Sequence, residues 1–234
     1  VLTGAGISAE SHLSTTRGSE QVKTTFWKEF DPQTLATPEA FNADPEMVTR
    51  WYDWRRQGCL AADPNPGHTA LAQIEQRLQG RGTFTLLTQN VDRLHQKAGS
   101  RNVVELHGSI IQWRCTECGE KTTPGPAPFT GFPPPSPCCR NEMLRPDVVW
   151  FGEALPFEAL RAADEAVSEC DLFFSIGTSS VVYPAAAYIH AAAQRGATTV
   201  EINKDPTPIT GRVDFSLQGK AGHILPLLVG QAFG

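Results

Sequence analysis

The chain has 234 residues, of which 40% are hydrophobic and 19% charged, and a formal net charge of −5. That length supports one sizeable core, or a large domain carrying a small one. The acidic balance and the lack of any Lys/Arg-rich stretch exclude a nucleic-acid or anionic-membrane surface, and no apolar run approaches the ~20 residues of a membrane-spanning helix.

In chain order, Val1-Leu2-Thr3 reads as a strand already under way, so upstream residues are expected to be missing. Gly4-Ala5-Gly6-Ile7-Ser8-Ala9 follows it and fits the dinucleotide pattern G-x-G-x-x-G/A. Glycines there let the backbone approach a pyrophosphate at a helix start, although a tight turn with no ligand fits the same residues. Residues 18–66 look helical and loop-like with no clear strand, and residues 68–78 carry a helical pattern. A buried strand is predicted over 83–88, followed by Thr88-Gln89-Asn90-Val91-Asp92. Gln, Asn and Asp together could hold an amide and a ribose, or simply cap the next helix. Leu106-His107-Gly108-Ser109 places a histidine at an expected strand end, as a general base or as a structural imidazole. Further on come a helix over 157–169, a strand over 172–176 with Gly177-Thr178-Ser179 behind it, an Ala-rich helix over 184–195, and a strand over 198–202 ending at Asn203.

This alternation predicts an α/β fold, a doubly wound parallel sheet of Rossmann-like type, with ligands beyond the C-terminal strand ends. Four polar turns at four such ends would converge on one crevice. No acidic ribose partner ends the second strand, which argues against an ordinary dehydrogenase. Residues 113–145 hold four cysteines and a Pro/Gly-rich stretch, 123–137, that cannot build its own core. Cys115-x-x-Cys118 is one half of a zinc knuckle, but Cys138 and Cys139 are adjacent, which leaves four ligands, three plus another group, or no metal. The chain is too large to need disulfide staples, so the cluster points to metal and a reducing compartment, with a cytoplasmic location expected. Cys59 and Cys170 read as small hydrophobes.

Gly4-Ala5-Gly6-Ile7-Ser8, Thr88-Gln89-Asn90-Val91-Asp92, Leu106-His107-Gly108, Leu144-Arg145-Pro146 with Val149-Trp150-Phe151-Gly152-Glu153, and Gly177-Thr178-Ser179 occur in the order and spacing of the sirtuin family, which the chain resembles over essentially its whole length. The resemblance implies a Rossmann-like NAD-binding domain from 1–17, 67–112 and 146–234, and a small domain made of a helical module, 18–66, and a zinc-binding module, 113–145. It implies NAD as co-substrate, held by Gly4, Ala5, Gly6, Ser8, Arg17, Gln89, Asn90, Val91, Asp92, Gly177, Thr178, Ser179, Asn203, Lys204 and Ala221. One structural zinc would sit on Cys115, Cys118, Cys138 and Cys139. His107 would be the general base, with Asn90 and Asp92 shaping the nicotinamide pocket. In the implied reaction the acyl oxygen attacks C1′ of the nicotinamide ribose, nicotinamide leaves, and lysine and O-acyl-ADP-ribose are released. The partner would be an acyl-lysine protein or peptide, paired as a strand with Val149, Phe151, Gly152 and Glu153. A monomer is expected.

Tyr52 and Arg55 stand three apart on one predicted helix face, where a phenol and a guanidinium make a carboxylate receptor, or else a surface Arg beside a half-buried Tyr. The segment is similar to the Tyr-x-x-Arg motif of sirtuins that remove malonyl, succinyl and glutaryl groups, and Ala36 is small where a wide acyl pocket needs room. Removal of acidic acyl groups is therefore expected. One loop departs from the family: His12-Leu13-Ser14-Thr15-Thr16-Arg17 lacks the usual Gly, Pro and aromatic, so either turnover is impaired or another residue, such as Phe26 or Trp27, shields the ribose. The alternatives are a deacetylase or ADP-ribosyltransferase on the same scaffold, or an NAD- or ADP-ribose-binding module with little catalysis.

Overall fold

A parallel sheet is buried on both faces, so its strands are short apolar runs whose alternate residues feed two layers. The computed structural model describes residues 1–11 and 32–234. Its strands are β1 (Leu2–Thr3), β2 (Leu86–Thr88), β3 (Val103–Glu105), β4 (Gly108–Cys115), β5 (Lys121–Thr122), β6 (Leu144–Val148), β7 (Leu172–Ile176), β8 (Thr198–Asn203) and β9 (Phe215–Gln218). Six form one parallel sheet, in the order β3-β2-β1-β7-β8-β9. The helices are α1 (Ala5–Ser8), α2 (Pro32–Leu35), α3 (Pro38–Ala43), α4 (Pro45–Ala61), α5 (Pro66–Leu78), α6 (Leu94–Lys97), α7 (Phe157–Glu169), α8 (Tyr188–Gln194) and α9 (Ala221–Phe233).

Side-chain alternation divides the core. Leu86, Ile176 and Val200 pack with Leu71 of α5 and Leu225 of α9 on one face of the sheet. Leu2, Leu87 and Phe173 pack with Val167 of α7 and Ile189 of α8 on the other. The doubly wound expectation therefore holds. The chain runs from β1 outward to β3 on one side, then returns to build β7 to β9 on the other, so the order reverses between β1 and β7. At such a switch point the connections diverge and leave a crevice beyond the C-terminal strand ends.

A second sheet, β5-β4-β6, is antiparallel, with an irregularity between Ser109 and Trp113. Ile110 and Trp113 of β4 and Leu144 and Val148 of β6 pack against Phe41 of α3 and Val48, Trp51 and Tyr52 of α4. β4 runs across residue 112 and β6 across residue 146, so this sheet draws on both sides of the expected boundaries.

Helix α7 and strand β7 have the expected bounds, and β8 is one residue longer than expected. The expected strand over 83–88 is paired only from Leu86. The Ala-rich stretch splits into a 3-10 turn, Ala185–Ala187, and α8. α5 starts two residues early, at Pro66, because Asn65 caps it and His68 bonds back to Asn65 N. β9 and α9 were not anticipated: Pro226 lies inside α9 and reads as a helix breaker. Among the described residues no helix is long and apolar enough to cross a membrane.

Candidate active site

Two glycine turns meet at the switch point. Gly4 N donates to Ile176 O at 3.0 Å and Gly6 N to Gly177 O at 2.7 Å. A Cβ on Gly4 would lie 2.8 Å from Thr178 Cα, and one on Gly6 2.7 Å from Gly177 Cα; Gly177 itself has φ +60°. The glycines therefore let turn pack against turn, leaving Ala5 and Gly6 exposed at the crevice. Gln89 Nε2 donates to Thr178 Oγ1 at 3.0 Å, and Asn203 Nδ2 to Thr178 O at 2.8 Å, so residues at the ends of β2 and β8 are tied to the turn after β7. Ser179 is half-buried beside Thr178, and Lys204, exposed, donates its N–H to Asn203 Oδ1. Ala221 is buried at the start of α9, where Gly222 N donates to Glu10 Oε2 at 2.9 Å.

Behind the turns lies a buried polar network. Asn90 Nδ2 donates to Gly4 O (3.0 Å) and to Ser8 Oγ (3.1 Å), and Ser8 Oγ donates to Asp92 Oδ2 (2.7 Å). His68 Nδ1 accepts from Asn65 N, which leaves its proton on Nε2 to be donated to Ser8 Oγ at 3.3 Å. The Ser8 hydroxyl is thus fully used inside the protein: it accepts twice and donates once. Burial pushes the Asp92 carboxyl up, while Leu94 N, Ser8 and the charge of Arg55 pull it back. Val91 is half-buried and its carbonyl accepts from Ile110 N, joining the site to β4. Thr3 Oγ1 donates to Thr88 Oγ1 and therefore accepts from His95 Nε2, both at 2.9 Å. His68 and His95 were not picked out from sequence, although Asn65-Pro66 ahead of His68 is a helix-start signal that could have found one of them.

His107 is half-buried, with Nδ1 3.0 Å from Gln89 O. A carbonyl only accepts, so the ring proton sits on Nδ1, and the Nε2 lone pair has no partner among the described residues. Burial lowers the imidazole pKa, against the raising effect of the bond to Gln89. His107 O accepts from Val149 N at 3.0 Å, and Phe151 N donates to Ala36 O at 2.9 Å. Residues 149–153 thus run from the histidine to buried Ala36, outside the strands of both sheets and with a turn at 151–152. Phe151 is exposed and Gly152 has φ +87°. The Glu153 carboxylate takes both terminal nitrogens of Arg145 and Trp150 N, so it shapes this segment from within.

Tyr52 is buried and its hydroxyl oxygen accepts from Trp150 Nε1 at 3.0 Å. Arg55 is half-buried, its guanidinium 4.7 Å from the Trp51 ring and 5.6 Å from the Tyr52 ring, with no ion pair among the described residues. Its neighbour Arg56 differs: it is fully buried and bonded to Asp53, Gly125 O and Ala127 O. A cavity of about 520 Å³ is bounded by Phe41, Arg114, Cys118, Lys121 and Trp150, and none of its walls is a strand end of the parallel sheet.

The Sir2 family pattern matches residues 4–184. The chain belongs to the Sir2 family. It is 51% identical to NAD-dependent protein deacylase 2 of Pyrobaculum aerophilum, over 98% of this chain and 88% of that protein. It is 41% identical to the mitochondrial NAD-dependent protein deacylase sirtuin-5 of Danio rerio, over 97% of this chain and 80% of that one. A Sir2 homologue solved as an NAD complex superposes with a TM-score of 0.90 at 45% identity, covering 98% of this chain and 87% of that one. A Sir2 protein bound to acetylated peptide superposes at 0.84 with 30% identity, covering 98% and 91%.

This Sir2 chain brings Cys115, Cys118, Cys138 and Cys139 together, with all four sulfurs within 4.8 Å of one another. Tetrahedral zinc at about 2.3 Å from each sulfur needs sulfurs about 3.8 Å apart, so the cluster fits one structural zinc. The adjacent pair is accommodated because Ser136 Oγ accepts from both Cys138 N and Cys139 N, folding both thiols inward. A hydrogen bond from Ser136, with help from the Cys118 backbone, draws the Cys115 thiol down to about 6. Arg17 and the altered run 12–16, with Phe26 and Trp27, lie outside the described residues.

Proposed function

We infer that this NAD-dependent protein deacylase prefers acidic acyl groups, succinyl and malonyl, on lysine. The observation that carries the inference is a pair of donors lacking acceptors. The Tyr52 oxygen is already used as an acceptor by Trp150, so its proton is left to give, and Arg55 makes no ion pair among the described residues, its charge reaching Asp92 only through space. Two donors on one helix face, one of them charged, suit a carboxylate. Ala36, in the same apolar cluster as Tyr52, is small where a wide acyl pocket needs room. The likeness to sirtuin-5 supports the same reading.

Placement supports the site roles that the sequence led us to expect. The exposed turn at Ala5 and Gly6 suits the pyrophosphate of NAD, with Gly4, Gly177, Thr178, Ser179 and Asn203 around it and Lys204 and Ala221 toward the adenosine end. Gln89 suits the ribose. Asn90 and Asp92, with Val91, suit the nicotinamide, and Ser8 acts by holding them. NAD supplies the electrophilic ribose carbon when bound. His107, neutral and open at Nε2, takes the proton from a ribose hydroxyl. Acyl-lysine runs along 149–153, where Val149 and Phe151 already use their own N–H groups. The first sheet with its helices forms the NAD-binding unit, and the helical and cysteine-bearing segments form the small one.

The test is a mass-spectrometric assay of paired succinyl-lysine and acetyl-lysine peptides, each with and without NAD. NAD-dependent loss of succinyl, faster than acetyl, is expected. Arg55→Met should cut that preference roughly 30-fold, corresponding to about 2 kcal/mol for a partly desolvated charge pair. An equal fall on both peptides would end the carboxylate reading.

A further inference from the structure

We propose that Trp150 is a positioning residue for acyl specificity: its indole N–H commits Tyr52 to act as a hydrogen-bond donor. The proposal rests on the acidic-acyl reading and gives that site a part its two-residue motif lacks. A phenol can either donate or accept. Left to itself, Tyr52 could present its oxygen lone pairs to the pocket, which would repel a carboxylate. An indole N–H can only donate. With Nε1 3.0 Å from the Tyr52 oxygen, one lone pair is engaged on the indole side and the hydroxyl proton must point away from Trp150. The proton finds no acceptor among the described residues.

Trp150 is itself held on three sides, so its N–H has a fixed direction. The Arg145 guanidinium lies 3.3 Å from its ring centroid, and the Phe41 ring packs 5.2 Å away. Its backbone N–H donates to Glu153 Oε2 at 2.8 Å, and that carboxylate is clamped by both terminal nitrogens of Arg145. Trp150 is 2% exposed and Tyr52 1%, so water does not compete for the bond. Glu153 and Arg145 therefore set Trp150, and Trp150 sets Tyr52. An acetyl group has no carboxylate to read this orientation, so the arrangement bears on the choice between acyl groups.

Trp150→Phe, alone and combined with Tyr52→Phe, is assayed for kcat/KM on the paired succinyl and acetyl peptides with NAD. The single substitution is expected to lower the succinyl-over-acetyl ratio about tenfold, the scale of one net hydrogen bond. In the Tyr52→Phe background it is expected to change that ratio no further. A fall in both activities with the ratio intact, or a ratio effect that persists in full without the Tyr52 hydroxyl, would overturn the proposal. Arg55→Met in the same assay separates the two claims. If Arg55→Met shifts the ratio and Trp150→Phe does not, only the Trp150 role fails; if Arg55→Met leaves the ratio unchanged, the acidic-acyl reading fails and takes this role with it. A second measurement needs no change at Trp150. The indole N–H resonance of Trp150 in a nitrogen-15 spectrum should move upfield when Tyr52→Phe removes its acceptor, and an unmoved resonance would overturn the proposal.

Discussion

The Gln89 carbonyl does more than hold His107 in place: it decides which ring nitrogen carries the proton. Burial lowers the pKa, so the imidazole is neutral above its ordinary value of 6.5. We therefore expect kcat/KM to be level above neutral pH and to fall in acid with a midpoint below 6.5, as the base form is lost. A midpoint above 7 would show that a different group titrates. His107→Ala should abolish turnover while NAD binding, followed by calorimetry, survives. At this scale the sequence was most informative where a polar residue followed a strand. Asn90, Asp92 and His107 were legible because strand ends in a parallel sheet all face the same crevice. Trp150 stood in a recognised block but carried no assigned role, because a tryptophan among apolar residues reads as core until the partner of its N–H is seen.

Helix α4 shows how neighbouring residues of one type diverge. Arg55 is half-buried beside the Trp51 and Tyr52 rings, while Arg56, one residue on, is fully buried and pins residues 125 and 127 to the helix, with its guanidinium 4.9 Å from the Phe129 ring. Arg56→Leu leaves the buried Asp53 carboxylate without its cation, so it should cost about 3–5 kcal/mol in urea unfolding. A loss below about 1 kcal/mol would mean that the Pro/Gly-rich stretch does not depend on this anchor. The cysteine cluster closes the same unit from the other end, at Cys115 of β4 and just before β6. Zinc analysis should find one ion per chain, and chelation should lower the Tm; an unchanged Tm after complete removal would make the metal dispensable to folding. Element type was readable from sequence wherever periodicity was clean, as in α7 and β7. It failed for α9, where Pro226 masked a helix that tertiary packing against α5 sustains.

Across the whole molecule, stability is tied to two buried imidazoles beneath the glycine turns. His68 and His95 stand 4.8 Å apart, and burial lowers them to about 4 and about 3. Their folded pKa values lie below the unfolded 6.5, so the unfolded state binds more protons at lower pH. Their contribution is full above 6.5 and is lost as pH falls toward 4 and 3, at roughly 1.4 kcal/mol per pH unit for each. Denaturant unfolding should therefore weaken already between pH 6.5 and 5, where most carboxylates remain ionised; a flat profile there would mean that these rings are not buried neutral. The amino-acid sequence by itself determined the alternation that makes a doubly wound sheet, the polar turns at its strand ends, the four thiols and the Sir2 pattern, because each depends on local periodicity or spacing. Only the tertiary structure decided that Gly4, Gly6 and Gly177 interlock, that adjacent Cys138 and Cys139 share one cluster, that Ser8 is spent on Asp92, and that the Trp150 indole N–H meets the Tyr52 hydroxyl. Those contacts join residues about 20 to 170 positions apart, and a hydrogen bond's direction is settled by what stands at its far end.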